Sequence, residues 1–430
     1  MPCLPAHVKS QREAPVGPAR AAQADSPESG PGQRLHALDN LRATMMWLGV
    51  VLHVAALHRI DVAGLQWHDP QTSPVANLLG AVIHAFRMPV FFVVAGFFVA
   101  LLVHRRGIGG MLGNRALRIG LPFLLFWPPL FALVVVVCTM QAQPLGHWPL
   151  PGFDLLTVPA TPSGARLQAL HLWFLELLMG LAVLAALAYR AAHALPASWR
   201  DSAARGLGRL AGHWGAFFLL SLPLAVVGRH HPHGILEADG AFLPALAVWV
   251  HYGLFFAFGL VLHRGRDWLL PLFRQRMWAN ALGGAACLAI ALVMAAMVER
   301  SPGAVPLGRV WTGLAYGACG WLWCFALIGA FLRFLPRRNP LLAYLAASSY
   351  WSYLVHLPVI GVVGLLLRDC AAPFVAKMLI NIAITTFICL LSYEGLVRRT
   401  VIGTLLGTPR PETTRERRAT TGPEPVPSTL

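Results

Sequence analysis

The chain is short of charge: Lys, Arg, Asp and Glu make up 12% of its 430 residues, about half of what soluble domains carry. A water-facing surface needs roughly a quarter to a third of such residues. An ordinary soluble globule is therefore excluded, and lipid is the solvent that fits. Acidic residues are the scarcest charge, 18 against 34 basic ones, for a formal net charge of +16. The seven cysteines (3, 138, 287, 319, 324, 370 and 389) form no C-x-x-C pair and lie mostly in apolar runs. They read as small buried hydrophobes, with neither a disulfide framework nor a metal site implied. Glycine-rich phosphate loops, H-E-x-x-H helices and G-x-S-x-G elbows are missing from any supporting context, which disfavours ATPases, zinc proteases and soluble-type hydrolases. Residues 1–33 also lack an apolar signal-peptide core and read as a disordered cytoplasmic tail. Residues 401–430 have the same Pro, Thr, Arg and Glu character.

What is abundant is apolar sequence, 57% of the chain. Stretches of the length that crosses a bilayer, about 17 to 25 residues, recur at 41–58, 75–103, 116–139, 168–189, 211–228, 241–263, 278–298, 310–332, 349–367 and 376–397. The expected fold is all-α and polytopic, with about ten spans. Met88-Pro89 predicts a bend in the second span, and Pro358 one in the ninth. Arginines crowd alternate breaks: Arg105, Arg106, Arg115 and Arg118, then Arg190, Arg200, Arg205 and Arg209, then Arg264, Arg266, Arg274 and Arg276, then Arg333, Arg337 and Arg338. The intervening breaks hold Asp61, Asp69, Asp154, Glu237, Asp239, Glu299 and Asp369. This alternation predicts both termini on the cytoplasmic side. It also accounts for most of the +16, so nucleic-acid binding is not implied. The largest break, Gln141 to Arg166, is rich in Pro and Gly and is expected to shape a binding surface.

Ionisable residues inside the spans are expensive and mark function. Arg42 and His53 share one face of the first span, eleven residues or about 16 Å apart. Asp39 is placed to pair with Arg42 or to cap the helix start. His84 and Arg87 lie in the second span, and Arg115 and Arg118 at i and i+3 share a face near the cytoplasmic surface, a spacing that suits phosphate. His171, Trp173 and Glu176 open the fourth span; Tyr350, Tyr353 and His356 lie in the ninth. Singly, His84, His171 and His356 read more readily as hydrogen-bonded helix residues than as catalysts, and Arg115 and Arg118 equally as topology anchors. Phe91, Phe92, Phe97 and Phe98 read as packing. A basic mouth leading to an embedded histidine admits an enzyme that uses His53 on an acceptor hydroxyl. It also admits a transporter or proton-coupled carrier that uses the same His and Arg.

Taken together, Leu38-Asp39-x-Leu41-Arg42 with His53, then FRMPVFFVVAGFF, RALR, HLWFLE and SSYWSYLVHLP resemble the membrane-bound acyltransferase type 3 family, most closely its glucan-biosynthesis branch. The resemblance runs from about Arg34 to Arg398. It implies an integral-membrane acyltransferase domain over 34–400 in the bacterial inner membrane, with no bound cofactor. Its implied partners are a cytoplasmic acyl-CoA donor, with an acetyl or succinyl unit, and a hydroxyl on a periplasmic or surface glycan. By the same resemblance Arg42 and His53 are catalytic, Arg115 and Arg118 bind the donor, and Tyr353 and His356 match the late motif. Arg87, His84 and His171 remain as oxyanion or acceptor contacts. Ala95 departs from the small polar residue usual at that point, which removes a hydroxyl contact there. A scaffold that has lost its chemistry is disfavoured by the intact Arg42, His53 and arginine pair.

Overall fold

The computed structural model describes residues 31–60, 69–144, 146–147, 150–161, 164–236, 240–300, 305–337 and 339–407. Among these no strand occurs. Twelve α-helices carry the fold: α1 (Pro31–Ala56), α2 (Pro74–Arg115), α3 (Leu121–Gln141), α4 (Trp173–His193), α5 (Ala197–Gly212), α6 (Ala216–Gly228), α7 (Leu246–Arg264), α8 (Arg266–Arg300), α9 (Val305–Phe334), α10 (Pro340–Leu367), α11 (Phe374–Ser392) and α12 (Val401–Leu406).

By length and composition, seven helical stretches among the described residues qualify as membrane spans, or eight if the bent α5–α6 pair counts as one. The sequence suggested ten, and three elements explain the difference. The second and third expected spans are joined, through a π-helical turn at Ala116–Gly120, into one helical run of 68 residues. Helix α1 carries Asp39 and Arg42 in its first half, which interrupts its apolar sequence. Helix α6 has only 13 residues, roughly 20 Å against a hydrocarbon core of about 30 Å, and meets α5 at 98°. Helix α5, with Arg200, Arg205 and Arg209, occupies what the sequence presented as a basic break.

The prolines at which bends are expected lie within continuous helices. Helix α2 runs through Pro89, and its non-helical residue is Gly107, with φ 69° and ψ 177°. Helix α10 continues unbroken through Pro358. The far end also differs: residues 401–406 form α12, in which Gly403 and Leu406 are buried, closed by Gly407 in the left-handed conformation. Residues 408–430 and 1–30, the greater part of both expected tails, lie outside the described residues, as do Asp61, Glu237 and Asp239.

Helix α1 packs against α2, α9, α10 and α11, so the helix that carries Arg42 and His53 is central. Helices α9 and α10 are mostly buried, whereas α8 and α11 expose most of their apolar surface. Leu282, Phe387 and Leu124 stand out from the body, the surface expected of a chain solvated by lipid. Helices α2 and α7 cross closely at paired glycines. A Cβ on Gly96 would overlap the carbonyl of Phe256, and one on Gly259 the carbonyl of Val93. This contact holds Arg87 and His84 in register with α7. Phe91, Phe92 and Phe97 pack in the core as expected.

The loop after α3 is ordered by its own polar groups. Gln143 exchanges two hydrogen bonds with Leu150, and the Arg166 guanidinium donates to the carbonyls of Leu156 and Val158. Arg368, 3% exposed, donates to the carbonyls of Gln143, Pro144 and His147 and so fastens this loop to the end of α10.

Candidate functional site

The expected residues fall into two groups at different depths along α1. Arg42, Arg115 and Arg118 sit near one end of the body. Arg42 pairs with Asp39 at 3.3 Å, both about 40% exposed, and its guanidinium carbon lies 5.6 Å from the Phe98 ring. The charge of Arg42 acts on Arg115, whose Nε is buried without a hydrogen-bond partner. The sequence placed Arg115 and Arg118 on one α-helical face. In the structure Arg118 belongs to the π-helical turn, is exposed, and lies against Gly407 at the end of α12. The two arginines therefore meet different surroundings.

The second group lies about 16 Å further along α1, eleven residues at helical rise. His53 is half-buried on α1. Its ring centroid is 5.2 Å from that of His356 on α10, and His356 is 5.1 Å from His171. Tyr353 completes the cluster, 5.4 Å from the His171 ring and 6.0 Å from that of His356.

Local backbone chemistry fixes these rings. Pro358 has no N–H to give to the carbonyl of Leu354, its partner four residues earlier. His171 Nε2 stands 3.2 Å from that oxygen and 3.1 Å from the carbonyl of Tyr353. A carbonyl only accepts, so this nitrogen carries the hydrogen. The Tyr353 hydroxyl returns a hydrogen bond of 2.6 Å to the carbonyl of His171. His171 lies on a short 3₁₀ turn at Leu170–Leu172, where Leu170 adopts φ 53°. That strained residue turns the chain so that His171 faces α10.

His356 Nδ1 donates to the carbonyls of Tyr353 at 2.7 Å and Ser352 at 3.1 Å. By the same rule it carries the hydrogen. His356 Nε2 and His171 Nδ1 are then bare acceptors, both buried without a hydrogen-bond partner among the described residues. The three imidazoles do not converge as ligands of one ion; no group of His, Cys, Asp or Glu among the described residues is arranged to hold a metal.

Arg87 is the cation of this cluster. It is 6% exposed, and its Nε donates to the carbonyl of Met45 on α1 at 3.0 Å. No carboxylate pairs with it among the described residues. Its charge acts on His53, His171 and His356. Gly49 makes room for it, since a Cβ there would overlap the guanidinium. His84, one turn before Arg87, is half-buried and acts electrostatically on His53. Glu176, on α4, has one carboxylate oxygen buried without a partner.

One buried ion pair escaped the sequence reading. Lys377, one of two lysines in the chain, lies 3.0 Å from both carboxylate oxygens of Asp69 and donates to the carbonyl of Arg368. Both residues are under 3% exposed. A lone lysine in the apolar run of α11 was the available signal. Its partner, 308 positions away in a loop, was counted there as a topology marker.

A helical body with a lipid-suited surface encloses a cluster of imidazoles beside a guanidinium that no carboxylate pairs with among the described residues, the layout of a multi-pass membrane enzyme. Residues 35–394 match the family described as acyltransferase domain. The chain belongs to that family and is a membrane acyltransferase. It is 24% identical over 404 residues to glucans biosynthesis protein C of Salmonella typhimurium, covering 92% of this chain and 100% of that relative. Over 151 residues it is 31% identical to glucans biosynthesis protein C of Shigella dysenteriae serotype 1, covering 35% of this chain and 37% of the relative. No solved structure matches it.

Proposed function

We propose that this acyltransferase moves an acyl group from cytoplasmic acyl-CoA to a hydroxyl of an extracytoplasmic glycan, as a multi-pass protein of a bacterial inner membrane. The observation that carries the reading is the division of the site. Arg42, Arg115 and Arg118 stand at one end, His53 with His356 and His171 about 16 Å deeper, Arg87 lies between at the level of Met45 and Gly49, and α1 runs past all of them. Guanidiniums suit the phosphates of coenzyme A, and the relatives' name speaks of glucans.

In this mechanism the thioester carbonyl is brought to His53. A bare nitrogen of His53 accepts the proton of the glycan hydroxyl as its oxygen forms the new C–O bond. The tetrahedral oxyanion is stabilised by Arg87, whose orientation is set in advance by Met45 and Gly49. The C–S bond then breaks, and the proton held on His53 passes to the leaving thiolate. Products are the glycan ester and free coenzyme A. Tyr353 and His84 line the acceptor side.

The test uses purified full-length protein in liposomes, supplied with acetyl-CoA or succinyl-CoA on one side and a linear glucan on the other. A base-labile ester on the glucan, identified by mass, supports the reading. Glucan or proton flux without ester formation replaces it with a carrier. His53→Ala, inserted at normal abundance, is expected to lower the rate by about 100-fold or more; a rate equal to wild type removes His53 from the chemistry. Replacing Arg115 and Arg118 by Gln is expected to raise the KM for acyl-CoA; an unchanged KM returns them to topology.

A further inference from the structure

We propose that His356 is the positioning partner of His53. Its bare Nε2 accepts the N–H of the His53 imidazole, so that the other nitrogen of His53 stays free for the acceptor hydroxyl. The inference rests on the acyl-transfer reading given above and adds a residue role to it.

A general base is more effective when a third group holds its tautomer and orientation. That group is commonly a carboxylate. Among the described residues no carboxylate contacts His53, and the side chain next to it is an imidazole. The ring centroids are 5.2 Å apart and tilted by 54°; no hydrogen bond joins them in this structure, and the separation is short enough for a ring rotation to bring a His53 N–H onto His356 Nε2. His356 suits this role because its proton is committed elsewhere: Nδ1 is held by the carbonyls of Ser352 and Tyr353. Its Nε2 is left as an acceptor, on a residue only 1% exposed and with no hydrogen-bond partner among the described residues. Leaving such an atom unpaired is costly, and a donor from His53 removes that cost.

The helix that carries His356 is itself held in place. Pro358 frees a carbonyl one turn away, and His171 takes it, so the turn from Ser352 to Pro358 is pinned from outside α10. The titratable and charged groups facing His356 are His53 from α1, Arg87 from α2, His171 from the 3₁₀ turn before α4, and Tyr353 from its own helix. None is an anion, so protonation of His356 is not supported from any side. When His53 takes the proton of the hydroxyl, its second N–H is the one given to His356 Nε2. The imidazolium is steadied without moving that proton.

Two measurements on the full chain in lipid test this. The first is the 15N spectrum of histidine-labelled protein, with His356 and His171 assigned by substitution. His356 is expected as the Nδ1–H tautomer and His171 as the Nε2–H tautomer; the reverse at His356 overturns the proposal. The second compares His356→Leu with His356→Gln, whose amide oxygen reaches the place of Nε2. His356→Leu is expected to lower kcat roughly 100-fold, the lower end of a general-base contribution, with the KM for the glucan little changed. His356→Gln is expected to regain at least a tenth of the lost rate. Equal losses in both variants, at equal melting temperature, make His356 a packing residue and overturn the proposal. A wild-type protein that transfers no acyl group refutes the reading of function instead, and the spectrum still decides the tautomer.

Discussion

A buried guanidinium without a carboxylate has to be held by backbone, and Arg87 is. Its anchor on Met45 and the open Cβ position of Gly49 make its geometry a property of α1 as much as of α2. Gly49→Ala places a methyl group where the guanidinium lies. The expected result is a displaced Arg87, a loss of about 1 to 3 kcal/mol of stability as in other overpacked sites, and a larger loss of acyl transfer than of melting temperature. Comparing both readouts with Arg87→Gln checks this, since a shared mechanism predicts similar rates in the two variants. The Asp69–Lys377 pair makes a different prediction. Removing one partner strands a buried charge, so Lys377→Met is expected to destabilise by about 3 to 5 kcal/mol. Adding Asp69→Leu restores most of the loss, as read by thermal unfolding in detergent. Both sites show what was legible at this scale. Arg87, His53 and His356 announced themselves as ionisable letters in apolar runs. Gly49 did not, because its importance lies in a contact 38 positions away, and Asp69 was hidden by sitting in a polar loop.

At the scale of elements, apolar length gave each helix its place, and the departures have local causes. An α-helical spacing puts the paired arginines on one face; in the structure Arg115 ends α2 and Arg118 lies in the π-helical turn at Ala116–Gly120. The prolines at which the sequence predicts bends lie inside continuous helices, Pro89 in α2 and Pro358 in α10. In α10 the carbonyl that Pro358 leaves open is capped by His171. A residue 183 positions away does what a backbone N–H would otherwise do. This gives a suppressor prediction. His171→Leu leaves the Leu354 carbonyl without a partner, and the expected cost is about 1 to 3 kcal/mol with a fall in activity. Pro358→Ala restores the missing N–H, so the double variant is expected to recover stability relative to His171→Leu alone. A double-mutant cycle on melting temperature reads the coupling. Additive effects, with no recovery, show that His171 and Pro358 act independently.

At the scale of the whole molecule the +16 charge becomes a statement about direction. Alternate arginine-rich breaks predict which end of the bundle faces the cytoplasm, and the proposed reaction needs the Arg42–Arg115–Arg118 end to be that one, because coenzyme A is met there. Orientation is thus a condition of the chemistry and is testable without an activity assay. Cys370 is exposed in the turn after α10, next to Arg368 and Asp369, in a break that the charge pattern assigns to the outside. Cys3 belongs to the N-terminal segment expected inside. In spheroplasts, a membrane-impermeant maleimide is expected to label the protein at Cys370 and to lose that label in Cys370→Ser. Labelling at Cys3 is expected only after lysis. The opposite pattern would invert the bundle, put the arginine mouth on the side without acyl-CoA, and leave His53 close to the cytoplasm. A cytoplasmic donor entering at the arginines and an extracytoplasmic acceptor meeting it at His53 would then both be wrong, whatever the histidines do.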